Sequence, residues 1–398
     1  MRIVLYTGKG GVGKTCVSAA AALAAARRGL RTIILSSDRA HSLGDCLERR
    51  LGPDPVDVAP NLHAMEVDAN VEIAQHWGEI QAYLRRLISS QGVDGLLAEE
   101  IAMVPGFEEA CVLLRLKDLW DRGEYDALIV DCAPTGATLR LLSFPEAFGW
   151  FMRRIFPVHR TLMRVLRPTA GPLISIPLPT EAYYDAIRAL YERFIAVAEL
   201  LLDPESTGVR LVTIPERMAV EETRRAFAEF SLYGLCVEEV VANRILPPEV
   251  TDPYLAATKT GQQGWLEQIR TDFDPIPVTE ARLLPNEVVG LQALETLGAE
   301  LFEGRDPMAL LRTRPPVRIE REGDAARLVL ELGFATRQDV ELMQHGDELV
   351  VEMGGSRRNL LLPGALARMR AARARVESGE LVIEFESAGA AAATEGTP

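Results

Sequence analysis

GKGGVGKT, Gly8–Thr15, is the stretch that decides the fold, and it follows the short apolar run RIVLYT, Arg2–Thr7. It satisfies the pattern G-x-x-x-x-G-K-[ST], in which a glycine-rich loop between a strand and a helix cradles phosphate groups. A strand is expected at Arg2–Thr7 and an Ala-rich helix at Thr15–Arg28. The glycines Gly8, Gly10, Gly11 and Gly13, with Lys9 and Val12 between them, let backbone N–H groups point into the loop. There these donors and the helix N-terminus bind anionic phosphates. Lys14 would reach the β- and γ-phosphates, the Thr15 hydroxyl would ligate Mg²⁺, and Cys16 follows at the start of the helix. A second lysine, Lys9, stands where the pattern asks for nothing.

Outward from this loop, short apolar runs alternate with longer helical patterns as far as about Arg314. The runs are RTIILSSD, DALIVDCAP, VRLVTIP and VEEVVANRI, rich in Val, Ile and Leu as in strands covered on both faces. Strands alternating with helices predict an α/β fold with a parallel sheet and right-handed crossovers. Residues 1–314 are therefore expected to form one phosphate-loop ATPase domain, with helical insertions over about 70–120 and 145–202. Beyond the break at Arg314–Pro316 the pattern alternates apolar and polar residues, as in ARLVLELGF and GELVIEFE, and predicts an all-β module over 315–386. The Ala/Gly/Thr-rich residues 387–398 are expected to be disordered.

Composition bounds the function. The chain has 398 residues, 48% hydrophobic and 25% charged, enough for a large core and more than one domain. A net charge of −14 argues against nucleic acid or an anionic membrane surface as partner. With no charged leader before Arg2–Thr7 and no apolar run long enough to span a bilayer, the protein is expected in the cytoplasm, associating with a membrane only peripherally and transiently. Its five cysteines, Cys16, Cys46, Cys111, Cys132 and Cys236, show no C-x-x-C pair and read as reduced thiols.

Hydrolysis needs a carboxylate to orient water and another to support the metal. Asp38 follows the second strand candidate, and Asp131 ends DALIVD. Carboxyl ends of strands in a parallel sheet line the ligand crevice, so the two acids can converge on the phosphates.

Together KGGVGKT, SSDRAHSLGD and DCAPTGATLRLL resemble the deviant-Walker-A ATPases, and more narrowly the ArsA-type arsenite-pump ATPases and the guided-entry ATPases that target tail-anchored membrane proteins. PGFEEA, TIPERMAVEET, VANRI and LLPNEVVG carry the narrower resemblance, which covers most of residues 1–305. It implies that Asp38 positions the hydrolytic water, with Arg39, Ala40 and His41 completing the first switch segment. It implies that Asp131 supports the magnesium shell from the second shell of ligands, and that Pro134, Thr135 and Gly136 form the second switch. Asn243 and the backbone around Pro285 would form the adenine pocket. Lys9 would cross a homodimer interface to the partner's nucleotide, making Lys9, Lys14 and Asp38 the catalytic set. ATP and Mg²⁺ are the implied cofactors.

Two departures from the family pattern stand out. The zinc C-x-x-C of the eukaryotic targeting ATPases has no counterpart after VANRI, so no zinc is predicted, and Ala137 stands where many relatives carry histidine. The segment FGWFMRRIFPVHRTLMRVL, Phe148–Leu166, interleaves large apolar residues with arginines, and Trp150, Phe151 and Met163 are candidates to hold a hydrophobic client. The C-terminal module resembles the α-crystallin domain of small heat-shock proteins. The expected function is a homodimeric Mg²⁺-dependent ATPase coupled to binding and release of hydrophobic or tail-anchored protein segments, with a membrane receptor or transporter as a further partner. The alternatives are an arsenite or antimonite pump-driving subunit, which would need clustered thiolates, and a ParA/MinD-like spatial switch. A nitrogenase-like electron-transfer dimer fits poorly, because Cys132 has no obvious second cluster ligand beside it.

Overall fold

The computed structural model describes the chain except residues 38–41, 69–70, 73–79, 81, 84–106, 133–147, 150–151, 170–177, 323–324, 354–355, 365 and 388–398. Its centre is β1 (Arg2–Thr7), all six residues of which are buried. Successive side chains alternate between two cores, Ile3 and Leu5 on one face of the sheet and Val4 and Tyr6 on the other, as the period-two geometry of a strand requires.

β1 lies inside an eight-stranded sheet with β2 (Thr32–Ser36), β3 (Val56–Ala59), β4 (Leu62–Glu66), β5 (Ala127–Asp131), β6 (Thr207–Thr213), β7 (Val237–Ile245) and β8 (Val278–Arg282). The order is β3-β4-β2-β5-β1-β6-β7-β8, and every pairing is parallel except β3 with β4. The sheet extends from β1 towards β5 and β2 on one side and towards β6, β7 and β8 on the other. That reversal places a crevice at the carboxyl end of β1, where open parallel sheets bind ligands. The parallel, helix-covered architecture predicted from the sequence is thus observed. β3, β4 and β8 were not expected. They are short, and β8 alternates half-buried and buried residues near one edge of the sheet.

On one face, α1 (Lys14–Arg27) packs against α7 (Gly290–Phe302). The run of alanines in α1 lets backbone and neighbour approach closely, and Ala19–Ala22 are completely buried. On the other face, α3 (Phe107–Arg122) and α5 (Glu181–Leu202) pack on each other, burying Leu113, Leu114, Phe194 and Val197. These parts of the predicted helical insertions belong to the core. By contrast α4 (Phe156–Thr169) is preceded by exposed Ile155 and carries exposed Val158 and Leu162, 41%, 68% and 50% accessible.

The C-terminal region forms a four-stranded and a three-stranded antiparallel sheet. The first contains β9 (Val317–Glu322), β10 (Ala325–Glu331), β14 (Met369–Glu377) and β15 (Glu380–Ser387) in the order β14-β15-β10-β9. The second is β11 (Val340–His345), β12 (Glu348–Met353) and β13 (Ser356–Leu361). Leu328, Leu330, Val351, Ile383 and Phe385 fill the core of this module. Ala228 and Leu232 of α6 (Arg217–Leu232) join the same cluster, so the β region docks on the body. Ser356 Oγ donates to Glu229 Oε1 at 2.8 Å, and Phe334 contacts Phe227 and Phe273 edge-to-face.

A buried ion cluster joins the sheet to the passage between the two regions. Arg210 is 1% exposed; its Nε donates to Glu238 Oε1 at 2.9 Å, and its Nη1 donates to the Tyr6 hydroxyl at 3.0 Å. A guanidinium in such a place is tolerable only with its charge paired and its donors used. Arg2 pairs with Glu238 as well and donates to the Met308 carbonyl at 2.8 Å, while Arg312 reaches Glu331 at 2.7 Å. Burial pushes the Tyr6 phenol up to about 12, although Arg210 acts in the opposite direction.

Candidate functional site

The loop is built by close approach. A side chain on Gly8 would place Cβ 2.1 Å from the Val212 carbonyl oxygen of the adjacent β6, so only glycine lets the chain turn there. Gly13 caps α1 at φ 90°, in the left-handed region, and a Cβ there would lie 2.5 Å from Asn243 Nδ2. Asn243, buried at the end of β7, donates from Nδ2 to the Val12 carbonyl at 2.9 Å and braces the loop from the neighbouring strand.

Lys14 is buried, and its Nζ donates to the Lys9 carbonyl oxygen at 3.2 Å, spanning the mouth of the loop. The Lys9 side chain is partly exposed and forms no hydrogen bond or ion pair with a described residue. Thr15 Oγ1 donates to Asp131 Oδ2 at 2.9 Å, although the two residues are far apart in sequence. Asp131 also ties down the neighbouring strand end, its carbonyl oxygen accepting from the Ser37 N–H at 3.0 Å. Register pairs Ser36 of β2 with Asp131 of β5, so β2 ends at this same edge.

A cavity of about 750 Å³ opens at this edge. Gly10, Gly11, Gly13, Lys14, Thr15 and Cys16 line one side, and Asn243 and Pro285 line the other. The donor set suits a hard cation: a hydroxyl and a carboxylate, both oxygen ligands, meet beside the loop. Thr15 and Asp131 are the residues that would hold Mg²⁺, and the loop amides and Lys14 would hold phosphates.

Of the residues singled out in the sequence, the structure thus brings Gly10, Gly11, Gly13, Lys14, Thr15, Cys16, Asn243 and Pro285 to one cavity, with Asp131 bonded to Thr15, while Val12 is buried in the core. Asp38, Arg39, Ala40, His41, Pro134, Thr135 and Gly136 lie outside the described residues, as do Trp150 and Phe151. Met163 is partly buried against the main core, as are Phe148 and Met152. Among the described residues, α4 leaves Val158 and Leu162 open, with Ile155 just before them, which the sequence reading did not single out.

Further lining residues were missed, among them two arginines and a cysteine. Arg244 and Arg282 line the cavity, and Arg244 adopts φ 58°, unusual for a non-glycine. A strand-end arginine carries no pattern that would announce this. The cysteine is Cys46, from α2 (Ser42–Leu47), and it meets Cys16. The hydrogen bond from Cys46 lowers the Cys16 thiol below its ordinary range, and the same bond raises that of Cys46. Among the described residues no group of three or more His, Cys, Asp or Glu could hold a metal ion.

Comparison with known proteins follows this geometry. The family described as anion-transporting ATPase, the ArsA ATPases, matches residues 1–303. The chain belongs to this family. An HSP20-like domain found in ArsA proteins matches residues 323–385, in agreement with the two antiparallel sheets. A protein of Chlorobaculum tepidum, provisionally named an arsenical pump-driving ATPase, is 37% identical over 392 residues, 97% of this chain and 96% of its own length. A similarly named protein of Aquifex aeolicus is 35% identical over 393 residues, 96% of this chain and 99% of its own. ATPase ASNA1 homolog 1 of Paramecium tetraurelia is 30% identical over 301 residues, 74% of this chain and 90% of that protein. The family match and the loop geometry agree in making the chain an ATPase of the ArsA type. No helix among the described residues is long and apolar enough to cross a membrane.

Proposed function

We propose that the protein is a homodimeric, Mg²⁺-dependent ATPase that couples ATP binding and hydrolysis to holding and releasing a hydrophobic protein segment. The observation that carries the enzymatic part is the 2.9 Å bond from the Thr15 hydroxyl to the Asp131 carboxylate at the floor of the glycine cradle. It supports a reading in which the hydroxyl ligates the metal, the carboxylate backs it, and the neighbouring loop binds phosphates. Bound Mg²⁺ would neutralise phosphate charge. Lys14 then orients the phosphates, Asn243 keeps the loop in shape, and Asp38 positions the attacking water. Lys9, with no partner of its own among the described residues, acts on the nucleotide of the other subunit as a preorganised cation.

The client part rests on Ile155, Val158 and Leu162. Spaced three and four residues apart, they form an open apolar stripe along α4 and the turn just before it, flanked by arginines. Exposed apolar side chains in such a stripe suit packing against an apolar helix. The paired change Val158→Asp and Leu162→Asp should weaken binding of a synthetic transmembrane-segment peptide about tenfold or more, while ATP hydrolysis without peptide stays near wild type. Unchanged peptide binding by the folded variant would remove the client reading and leave the ATPase reading standing. A name as a pump-driving ATPase, carried by the bacterial relatives, points to a metalloid-pump subunit as the second reading. Stimulation of hydrolysis by arsenite would favour it.

A further inference from the structure

Two of the five cysteines share the nucleotide cavity. Cys16 sits in the first turn of α1, directly after Thr15, and Cys46 sits in α2. Their Sγ atoms both reach one acceptor, the Val288 carbonyl oxygen, at 3.7 and 3.8 Å. α1 and α2 pack directly on each other, and both thiols line the same cavity. The other three cysteines are buried elsewhere: Cys236 under the Arg312 and Arg314 carbonyls, Cys132 at the end of β5, Cys111 inside α3. Cys16 is half-buried and lines the cavity, whereas Cys46 is only 5% exposed.

We propose that Cys16 and Cys46 form a reversible disulfide that switches nucleotide binding off. The oxidant is a peroxide that enters the cavity when no nucleotide fills it. Cys16 Sγ attacks one peroxide oxygen, the O–O bond breaks, and Cys16 becomes a sulfenic acid with release of one water. Cys46 Sγ then attacks the Cys16 sulfur, the S–O bond breaks, and the second water leaves carrying the Cys46 proton. Two thiols lose two electrons and hydrogen peroxide gains them. A dithiol reductant returns the pair to thiols by exchange.

The consequence follows from what the thiols now hold. Oxidation removes both S–H donors from Val288, so the wall that carries Pro285 and Val288 loses its tether to α1 and α2. It also ties α2 to the phosphate-loop helix, and α2 begins at Ser42, immediately after the segment that starts at Asp38. Both changes act on the wall of the cavity. A nucleotide in the cavity covers Cys16 and protects it, so occupied protein resists oxidation. This consequence rests on the nucleotide reading of the cavity, whereas the disulfide itself does not.

The test treats the full chain with hydrogen peroxide, with and without Mg²⁺–ADP, followed by tryptic mass spectrometry and titration with a fluorescent ADP analogue. The expected result is a linked pair of peptides, TCVSAAAALAAAR with AHSLGDCLER, suppressed by Mg²⁺–ADP. Affinity for the analogue should fall about tenfold or more and recover with dithiothreitol. Cys46→Ser should give instead a Cys16 sulfenic acid that dimedone traps. Absence of the linked peptides from folded, oxidised wild-type protein would overturn the proposal, as would a Cys16–Cys46 disulfide that left affinity unchanged. Reduced protein that bound no analogue yet still formed the disulfide would overturn the nucleotide reading, and the switch with it.

Discussion

Gly13 offers a perturbation whose size can be worked from the structure. In Gly13→Ala, alanine must hold φ near 90°, which costs roughly 1–2 kcal/mol for a residue with a Cβ. That Cβ would lie 2.5 Å from Asn243 Nδ2, so the amide must swing away and release the Val12 carbonyl. Losing that buried hydrogen bond costs about 1 kcal/mol more. Asn243→Ala removes the same bond and nothing else of comparable size, about 1 kcal/mol. The double variant has no amide for the alanine to strike, so it should cost about as much as Gly13→Ala alone. The cycle therefore predicts a coupling of about 1 kcal/mol between the two positions, against zero for independent sites. Urea unfolding followed by circular dichroism, with an unchanged slope across the four proteins, measures it. Costs that simply add would refute the contact between loop and strand on which the site geometry rests.

Two other outcomes follow from the packing. Tyr6, with a folded-state pKa of about 12 against 10 unfolded, contributes stability that is complete below pH 10 and lost as pH rises towards 12. Tyr6→Phe should therefore flatten the alkaline fall in melting temperature across that window, on top of a pH-independent cost from the lost Arg210 hydrogen bond. Phe334→Ala should remove one ring from the Phe227–Phe273–Phe334 contact, at a cost of roughly 2–3 kcal/mol, and loosen the β region from the body. Limited proteolysis near residues 310–316 would then quicken relative to wild type, whereas an unchanged cleavage rate would count against this docking.

What could be read from the sequence follows physical rules. The glycine spacing of Gly8–Thr15 has one structural solution, and with it the strand before, the helix after and the position of Asp131 were legible. So were the five buried parallel strands, because continuous Val/Ile/Leu runs survive only where both faces are covered. The β3–β4 pair and β8 were not, since half-polar strands of four or five residues do not rise above turns. The charges of Arg210, Glu238 and Glu239 sit inside strand runs and reveal nothing of their burial, because their partners come from other strands. In α4 the amphipathic pattern was visible but not its orientation: Met163 turns to the core while Val158 and Leu162 stay open. The meeting of Cys16 and Cys46 was illegible, since it depends on how α2 returns over α1.

Subunit mixing tests the central claim, an ATPase site completed across a dimer by Lys9. Lys9→Ala lacks the lysine offered to its partner but keeps its own Asp38, and Asp38→Asn is the converse. Each variant alone should be nearly inactive while still binding ATP. Mixed in equal amounts and allowed to exchange, half the dimers are hybrids with one complete site of two. Hydrolysis should then recover to about a quarter of wild type. A mixture no more active than its parents, in a sample shown to contain hybrids, would contradict the account.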